Sequence, residues 1–286
     1  MTEPLVFKGG PHAVVLFHGL SSTPQELQIT ARGLSRAGYT VILPAIRTYS
    51  WTRGDHGRPV WRQWVGDARR IYEQTVSRYE SVSIGGLCIG AVLALHVAAT
   101  SREAPASVIC LSTTLHYDGW SLPWYRHFLP LAGWLPFGHR YRFKERWPWG
   151  VKDPRMRQWI EQQMAADGAS AAGAAELGAR HLLEARRLIR ATRSQLPQVT
   201  SPTLVLHAVE DEVASPRSAE EVIRRVKAGR TRLVLLRDSY HMISLDREKQ
   251  RVTDEIGGFL ALLDPSRKDM ESRRPKVVPI GRYGNI

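Results

Sequence analysis

Residues 83–91 read Ser-Ile-Gly-Gly-Leu-Cys-Ile-Gly-Ala, and within them Gly86-Leu87-Cys88-Ile89-Gly90 has the form G-x-C-x-G. The segment Ser81 to Gly85 before it reads as a strand, and Ile89 to Thr100 after it as a helix. A sharp strand-to-helix turn that carries a reactive side chain forces strained backbone at that residue. Any side chain larger than hydrogen at the flanking glycines would collide with neighbouring backbone. A helix starting at Ile89 also points amide N–H groups and partial positive charge at the sulfur, which favours a thiolate and later an oxyanion. Alone the motif says little, because glycine recurs in such turns and cysteine is commonly a buried hydrophobe. Its surroundings decide its meaning.

Upstream, His12 to Phe17 (HAVVLF) is a short apolar run between Gly9-Gly10-Pro11 and His18-Gly19, the pattern of a buried parallel strand. Thr23 to Ala37 predicts a helix, with Thr23 as N-cap, Pro24 at the first position, Glu26 completing a capping box and Gly38 as the stop. Further strands are expected at Tyr39 to Leu43, Ser107 to Leu111, Thr203 to His207 and Thr231 to Leu235. Helices are expected at Val60 to Tyr79, Pro216 to Lys227 and Arg247 to Leu263. Strands alternating with helices predict an α/β fold with a mostly parallel central sheet and right-handed crossovers. Residues 112–201 break the rhythm and are too long for a loop. They are expected to form a mostly helical cap inserted in a core made of 1–111 and 202–263. Six of the nine tryptophans lie in this insert, where they would fill its own core or line a pocket; the Ala/Gly run from Ala165 to Ala179 reads as packed helix and turn.

Four segments, HGLSSTPQEL (His18 to Leu27), GLCIGA (Gly86 to Ala91), VEDEVASPRSA (Val209 to Ala219) and SYHMISLDREK (Ser239 to Lys249), together resemble the α/β-hydrolase superfamily. Within it the chain is similar to small bacterial carboxylesterases and monoacylglycerol lipases with a compact cap. The resemblance implies a nucleophile–acid–histidine order, with Cys88 as nucleophile, Asp211 as the orienting acid and His241 as the base. Asp118, after the fourth core strand, is the alternative acid, since some members of the fold place theirs there. The resemblance also places an oxyanion hole at the backbone N–H groups of Leu20 and Ile89, with His18 structuring the turn.

Those esterases carry serine where this chain has Cys88. Cysteine on this fold resembles dienelactone hydrolases, polyhydroxyalkanoate synthases and Dieckmann cyclases, and an acyl-cysteine suits transfer to nucleophiles better than water. The expected function is hydrolysis of a carboxylic ester or acyl thioester through an acyl-cysteine. The alternatives are an acyltransferase or Dieckmann-type cyclase on a carrier-bound chain and, less expected, a non-catalytic binding protein.

Composition narrows the partners. The 286 residues hold 40 Lys and Arg against 27 Asp and Glu, a net +13, and without residues 264–286 the balance is still 34 against 24, or +10. With no RNP or helix-turn-helix pattern, nucleic acid is not expected. An acidic acyl carrier protein or CoA is the expected acidic partner, docking on the basic stretch from Arg140 to Arg157. Two cysteines make neither a disulfide framework nor a zinc site, and no nucleotide loop appears, so no cofactor or metal is expected. No secretory signal and no run of about 18 apolar residues is seen, so a cytoplasmic location without a transmembrane segment is expected, with a basic, disordered tail from 264.

Overall fold

A computed structural model describes residues 3–50, 57–121, 142–144, 147–167, 169–170, 173–174 and 176–264. Its centre is a sheet built from β1 (Leu5–Phe7), β2 (His12–Phe17), β3 (Thr40–Leu43), β4 (Ser81–Leu87), β5 (Val108–Leu111), β10 (Thr203–Ala208) and β11 (Thr231–Leu236). The spatial order is β1-β3-β2-β4-β5-β10-β11. Within this sheet only the β1–β3 pairing is antiparallel. This is the α/β-hydrolase fold: a mostly parallel sheet flanked by helices.

The short apolar strands are explained by burial on both faces. Ala13, Val15 and Phe17 of β2 face one hydrophobic cluster with Ile84, Val108 and Val205, covered by α2 (Trp61–Val76), α3 (Ile89–Thr100) and α6 (Arg217–Arg225). Val14 and Leu16 face the other cluster with Val41, Ile109 and Leu206, covered by α1 (Gln28–Arg36) and α7 (Lys249–Leu263). Alternation along each strand therefore feeds two cores, and β4 delivers Cys88 at the carboxyl end of the sheet between them. Cys88 packs against both clusters.

Three local expectations change. The helix expected from Thr23 opens instead as a 3₁₀ turn, Pro24–Leu27, before α1, and the Thr23 side chain makes no capping bond. Glu26 turns to the Gly19 N–H and the Ser22 hydroxyl, a stronger use of a buried carboxylate than a capping box. The Ala/Gly run, expected as packed helix and turn, carries short strands instead: α4 (Pro154–Asp167) ends, and β7 (Ala169–Ser170) pairs β8 (Gly173–Ala174) while β9 (Glu176–Gly178) pairs β6 (Arg142–Lys144). Alanine and glycine give a helix little to bury, and glycine costs it backbone entropy. Finally, α5 (Ala179–Gln195), expected in the cap, buries Ala185, Leu188 and Ile189 in the cluster that holds α3. It belongs to the sheet's own helical layer.

Of the insert's tryptophans, Trp120 and Trp147 are more than half exposed and Trp159 is exposed too, so these three fill no core of the insert. Trp124, Trp134, Arg140 and the tail beyond Asp264 lie outside the described residues. Among the described residues no helix is long and apolar enough to cross a membrane.

Candidate active site

Cys88 stands between β4 and α3 at φ 58°, ψ −119°, the left-handed side of backbone space that a non-glycine residue occupies only under constraint. The constraint is visible in its neighbours. A Cβ on Gly86 would lie 2.4 Å from the Phe17 carbonyl oxygen, and one on Gly90 would lie 2.2 Å from the same atom. The Cys88 N–H donates to the Leu111 carbonyl at 2.9 Å, fixing the turn to β5. Its sulfur, partly exposed and not in a disulfide, lies 3.2 Å from Thr114 Oγ1.

His241 and Asp211 meet as a pair. The Nδ1–H of His241 donates to Asp211 Oδ2 at 2.8 Å and to Oδ1 at 2.9 Å. Asp211 is held in turn by the N–H groups of Val213 and Ala214, at 2.9 and 2.8 Å. Burial opposes charge on His241, but the Asp211 carboxylate and Cys88 outweigh it and hold the imidazole well above its usual 6.5. Burial likewise opposes the Asp211 charge, and His241 overrides it, so the carboxyl stays below its usual range. The His241 Nε2 is buried and has no hydrogen-bond partner among the described residues. Cys88, whose influence raises the imidazole, is the neighbouring group able to use that nitrogen.

Asp118 does not share this pair. Its Oδ1 accepts the Ser215 N–H and its Oδ2 the Ser215 hydroxyl, both at 2.8 Å, so it pins the loop that follows Asp211. Sequence reasoning passed over two other carboxylates. Glu212 is buried, accepts the His241 backbone N–H at 2.9 Å, and is pushed up to about 7 by burial. Asp246, fully buried, accepts four backbone N–H groups, those of Lys152, Asp153, Tyr240 and Arg247, at 2.7 to 2.9 Å. It thereby ties the insert to the His241 loop. Glu212 could not be told from its acidic neighbours in sequence, and Asp246 could be suspected only from its place in SYHMISLDREK.

The loop after β2 is equally anchored. His18 donates from Nδ1 to the Gly19 carbonyl at 2.7 Å, and its Nε2 pairs with Ser50 Oγ at 2.7 Å. Burial drops His18 to about 4, so it is a neutral structural imidazole in this turn. The Tyr49 hydroxyl donates to the His18 carbonyl at 2.6 Å, and the Ser21 N–H to the Tyr49 carbonyl at 2.9 Å. Beneath lies Glu26, fully buried and raised to about 7 by burial. The Leu20 N–H makes no backbone hydrogen bond among the described residues, and Ile89, as first residue of α3, has no intrahelical acceptor.

The described basic residues of the insert divide. Lys152 is engaged by Glu210 and Asp238, and Arg157 donates to the Val151 carbonyl and covers the Trp147 ring; Arg142 is only loosely paired with Glu176 at 3.9 Å.

The family model described as serine aminopeptidase, S33, matches residues 11–248. A thermostable monoacylglycerol lipase of Bacillus sp. (strain H-257) is 24% identical over 259 residues, covering 91% of this chain and 94% of that one. A carboxylesterase of Bacillus subtilis (strain 168) is 24% identical over 264 residues, 92% and 97% of the two chains. Among solved structures, the monoacylglycerol lipase of Paleococcus ferrophilus superposes with a TM-score of 0.74 at 16% identity, over 92% of this chain and all of that one. The match runs from just before β2 to the residue before α7, and the chain accordingly belongs to the serine aminopeptidase S33 family, an α/β-hydrolase of the esterase and lipase type.

Proposed function

We propose that the protein hydrolyses a carboxylic ester or acyl thioester through an acyl-Cys88 intermediate. The observation that carries this reading is the His241–Asp211 pair, whose Nε2 is left to Cys88, a cysteine on a glycine-flanked turn of positive φ. Asp211 fixes the tautomer with the proton on Nδ1, which leaves Nε2 as base. Nε2 takes the Cys88 thiol proton, giving the thiolate–imidazolium pair that the raised imidazole favours, Sγ bonds to the carbonyl carbon, and the carbonyl π pair moves to oxygen. The N–H groups of Leu20 and Ile89 receive that oxyanion. Collapse expels the alcohol or thiol with the proton from His241. Water then repeats the sequence, its proton going to Nε2 and the C–S bond breaking to release acid and restore Cys88.

The family is named for serine enzymes, and cysteine at the elbow favours thioester substrates and acceptors better than water. A carrier protein or CoA is the anionic acyl donor that fits a +13 chain. Two free cysteines suit a reducing compartment, so the cytoplasm is the site of action in this reading. The described stretch of the insert from Trp147 to Asp167 is its cap.

Intact-protein mass spectrometry after brief exposure to a panel of esters and thioesters tests the proposal. Wild type should gain an acyl mass that Cys88→Ala does not, with free acid appearing on longer incubation. His241→Ala should lose both. An acyl-enzyme that persists until an amine or thiol acceptor is added would favour transfer over hydrolysis. Turnover surviving in Cys88→Ala would overturn the mechanism.

A further inference from the structure

The sulfur of Cys88 has a second polar neighbour besides the histidine. Thr114, fully buried, holds its Oγ1 3.2 Å from Sγ, and among the described residues its hydroxyl has one other acceptor, the Ser112 carbonyl at 3.3 Å. A hydroxyl bond to a carbonyl normally measures 2.7–2.8 Å, so the Ser112 contact is weak and the hydrogen is not committed to it. A thioester sulfur is a poor acceptor and a thiolate a strong, charged one.

We propose that Thr114 is a catalytic residue, which donates its hydroxyl hydrogen to Cys88 Sγ whenever the sulfur carries negative charge and so accelerates departure of the thiolate in deacylation. The inference rests on the acyl-Cys88 reading above and concerns its deacylation half. When the tetrahedral intermediate formed by water collapses, the oxyanion pair re-forms the C=O bond and the C–S bond breaks. The bonding pair of C–S goes to Sγ, and His241 then returns a proton to it. Before protonation, the Thr114 hydroxyl is the donor positioned to receive that charge. In the acyl-enzyme the same hydrogen rests on the Ser112 carbonyl, so the donation is stronger in the transition state than before it. Only such differential contacts lower a barrier.

The groups that share the sulfur's field are His241, Tyr49, Tyr117 and, beneath Gly19, Glu26. Burial first, and Cys88 second, raise Tyr49 and Tyr117 above their usual 10.0, so both phenols stay neutral through the neutral and mildly alkaline range. Glu26 contacts Gly19 and Ser22, not Thr114, and is untouched by substitution there.

The test uses Thr114→Val, which keeps the shape and removes the hydroxyl, and Thr114→Ser, which keeps it, with circular dichroism as the control for folding. Alkylation of Cys88 by iodoacetamide across pH needs no acyl substrate. Its midpoint should rise by about one pH unit in Thr114→Val and return in Thr114→Ser, the effect of one hydrogen bond to a charged group. Quenched mass spectrometry with a butyryl thioester should show deacylation slowed about tenfold in Thr114→Val and acyl-Cys88 accumulating. Should Thr114→Val not fold, Thr114→Ala serves the same measurements. An unmoved alkylation midpoint with unchanged deacylation, in a variant that still acylates, overturns this proposal alone. Turnover surviving in Cys88→Ala overturns the acyl-cysteine reading and this proposal with it.

Discussion

Glu26 and Glu212 are buried carboxyls within reach of the His241 charge, and burial pushes each from 4.5 up to about 7. The folded protein thus keeps protons that the unfolded chain has already lost. Their contribution to stability is complete below about pH 4.5 and disappears as pH rises through about 7, up to about 3 kcal/mol for each group. His18, dropped to about 4, has the opposite slope, but it is silent above its unfolded value of 6.5. The clean window is therefore pH 6.5 to 8. There Glu26→Gln, neutral at every pH, should lose less melting temperature than wild type, the difference across the window amounting to about 2 °C at most. Parallel melting curves of the two proteins would show that Glu26 is ionised throughout. Residues of this kind explain what sequence could not supply. Cys88, Asp211 and His241 were expected from the segments that resemble the α/β-hydrolases, and of these His241 and Asp211 meet as a hydrogen-bonded pair. Glu26, Glu212 and Thr114 act through neighbours 7, 29 and 26 residues away in the chain, contacts that no local pattern encodes.

At the scale of elements, the alternation of strand and helix was legible because the central strands are buried on both faces, and β2 in particular reads as an unbroken apolar run from Ala13 to Phe17. The helix from Ile89 to Thr100 was legible to the residue, since the glycine-flanked turn marks its start. What escaped were elements without such a signature: β1, a three-residue edge strand that is half exposed, and the two-stranded pairs β6–β9 and β7–β8. Two glycines separate space from propensity as the reason for glycine. On Gly90 a Cβ would meet the Phe17 and His18 carbonyl oxygens at 2.2 and 2.5 Å, both backbone atoms that cannot swing away. On Gly66, in the middle of α2, it would meet nothing within 4 Å. Gly66→Ala should therefore raise stability by about 0.5–1 kcal/mol. Gly90→Ala should cost more than about 3 kcal/mol, or leave no soluble protein, because the elbow and the loop after β2 cannot both keep their places. Urea denaturation of the two variants beside wild type reads both, and a mild Gly90→Ala would mean that the elbow relaxes and Cys88 is not strained by its packing.

For the whole molecule, composition revealed an excess of positive charge but not where it acts. The cap stretch expected to dock an acidic carrier loses Lys152, held by Glu210 and Asp238, and Arg157, bound to the Val151 carbonyl; Arg142 stays exposed with a 3.9 Å partner. Exposed pairs of this kind contribute little energy individually. What remains is the field of a body that is +10 without its last 23 residues, enough to draw an anionic substrate toward the protein without a built dock. Such attraction is screened over about 10 Å at 0.1 M salt and about 3 Å at 1 M, whereas the buried His241–Asp211 pair is shielded from it. Raising salt from about 0.05 to 0.5 M should therefore lower kcat/KM for a CoA thioester by roughly tenfold and leave a neutral thioester of the same acyl chain within about twofold. The comparison holds the chemistry constant and changes only the charge that approaches. Equal losses for both substrates would mean that salt acts on the catalytic groups or the fold, and the positive surface would have no part in bringing substrate to Cys88.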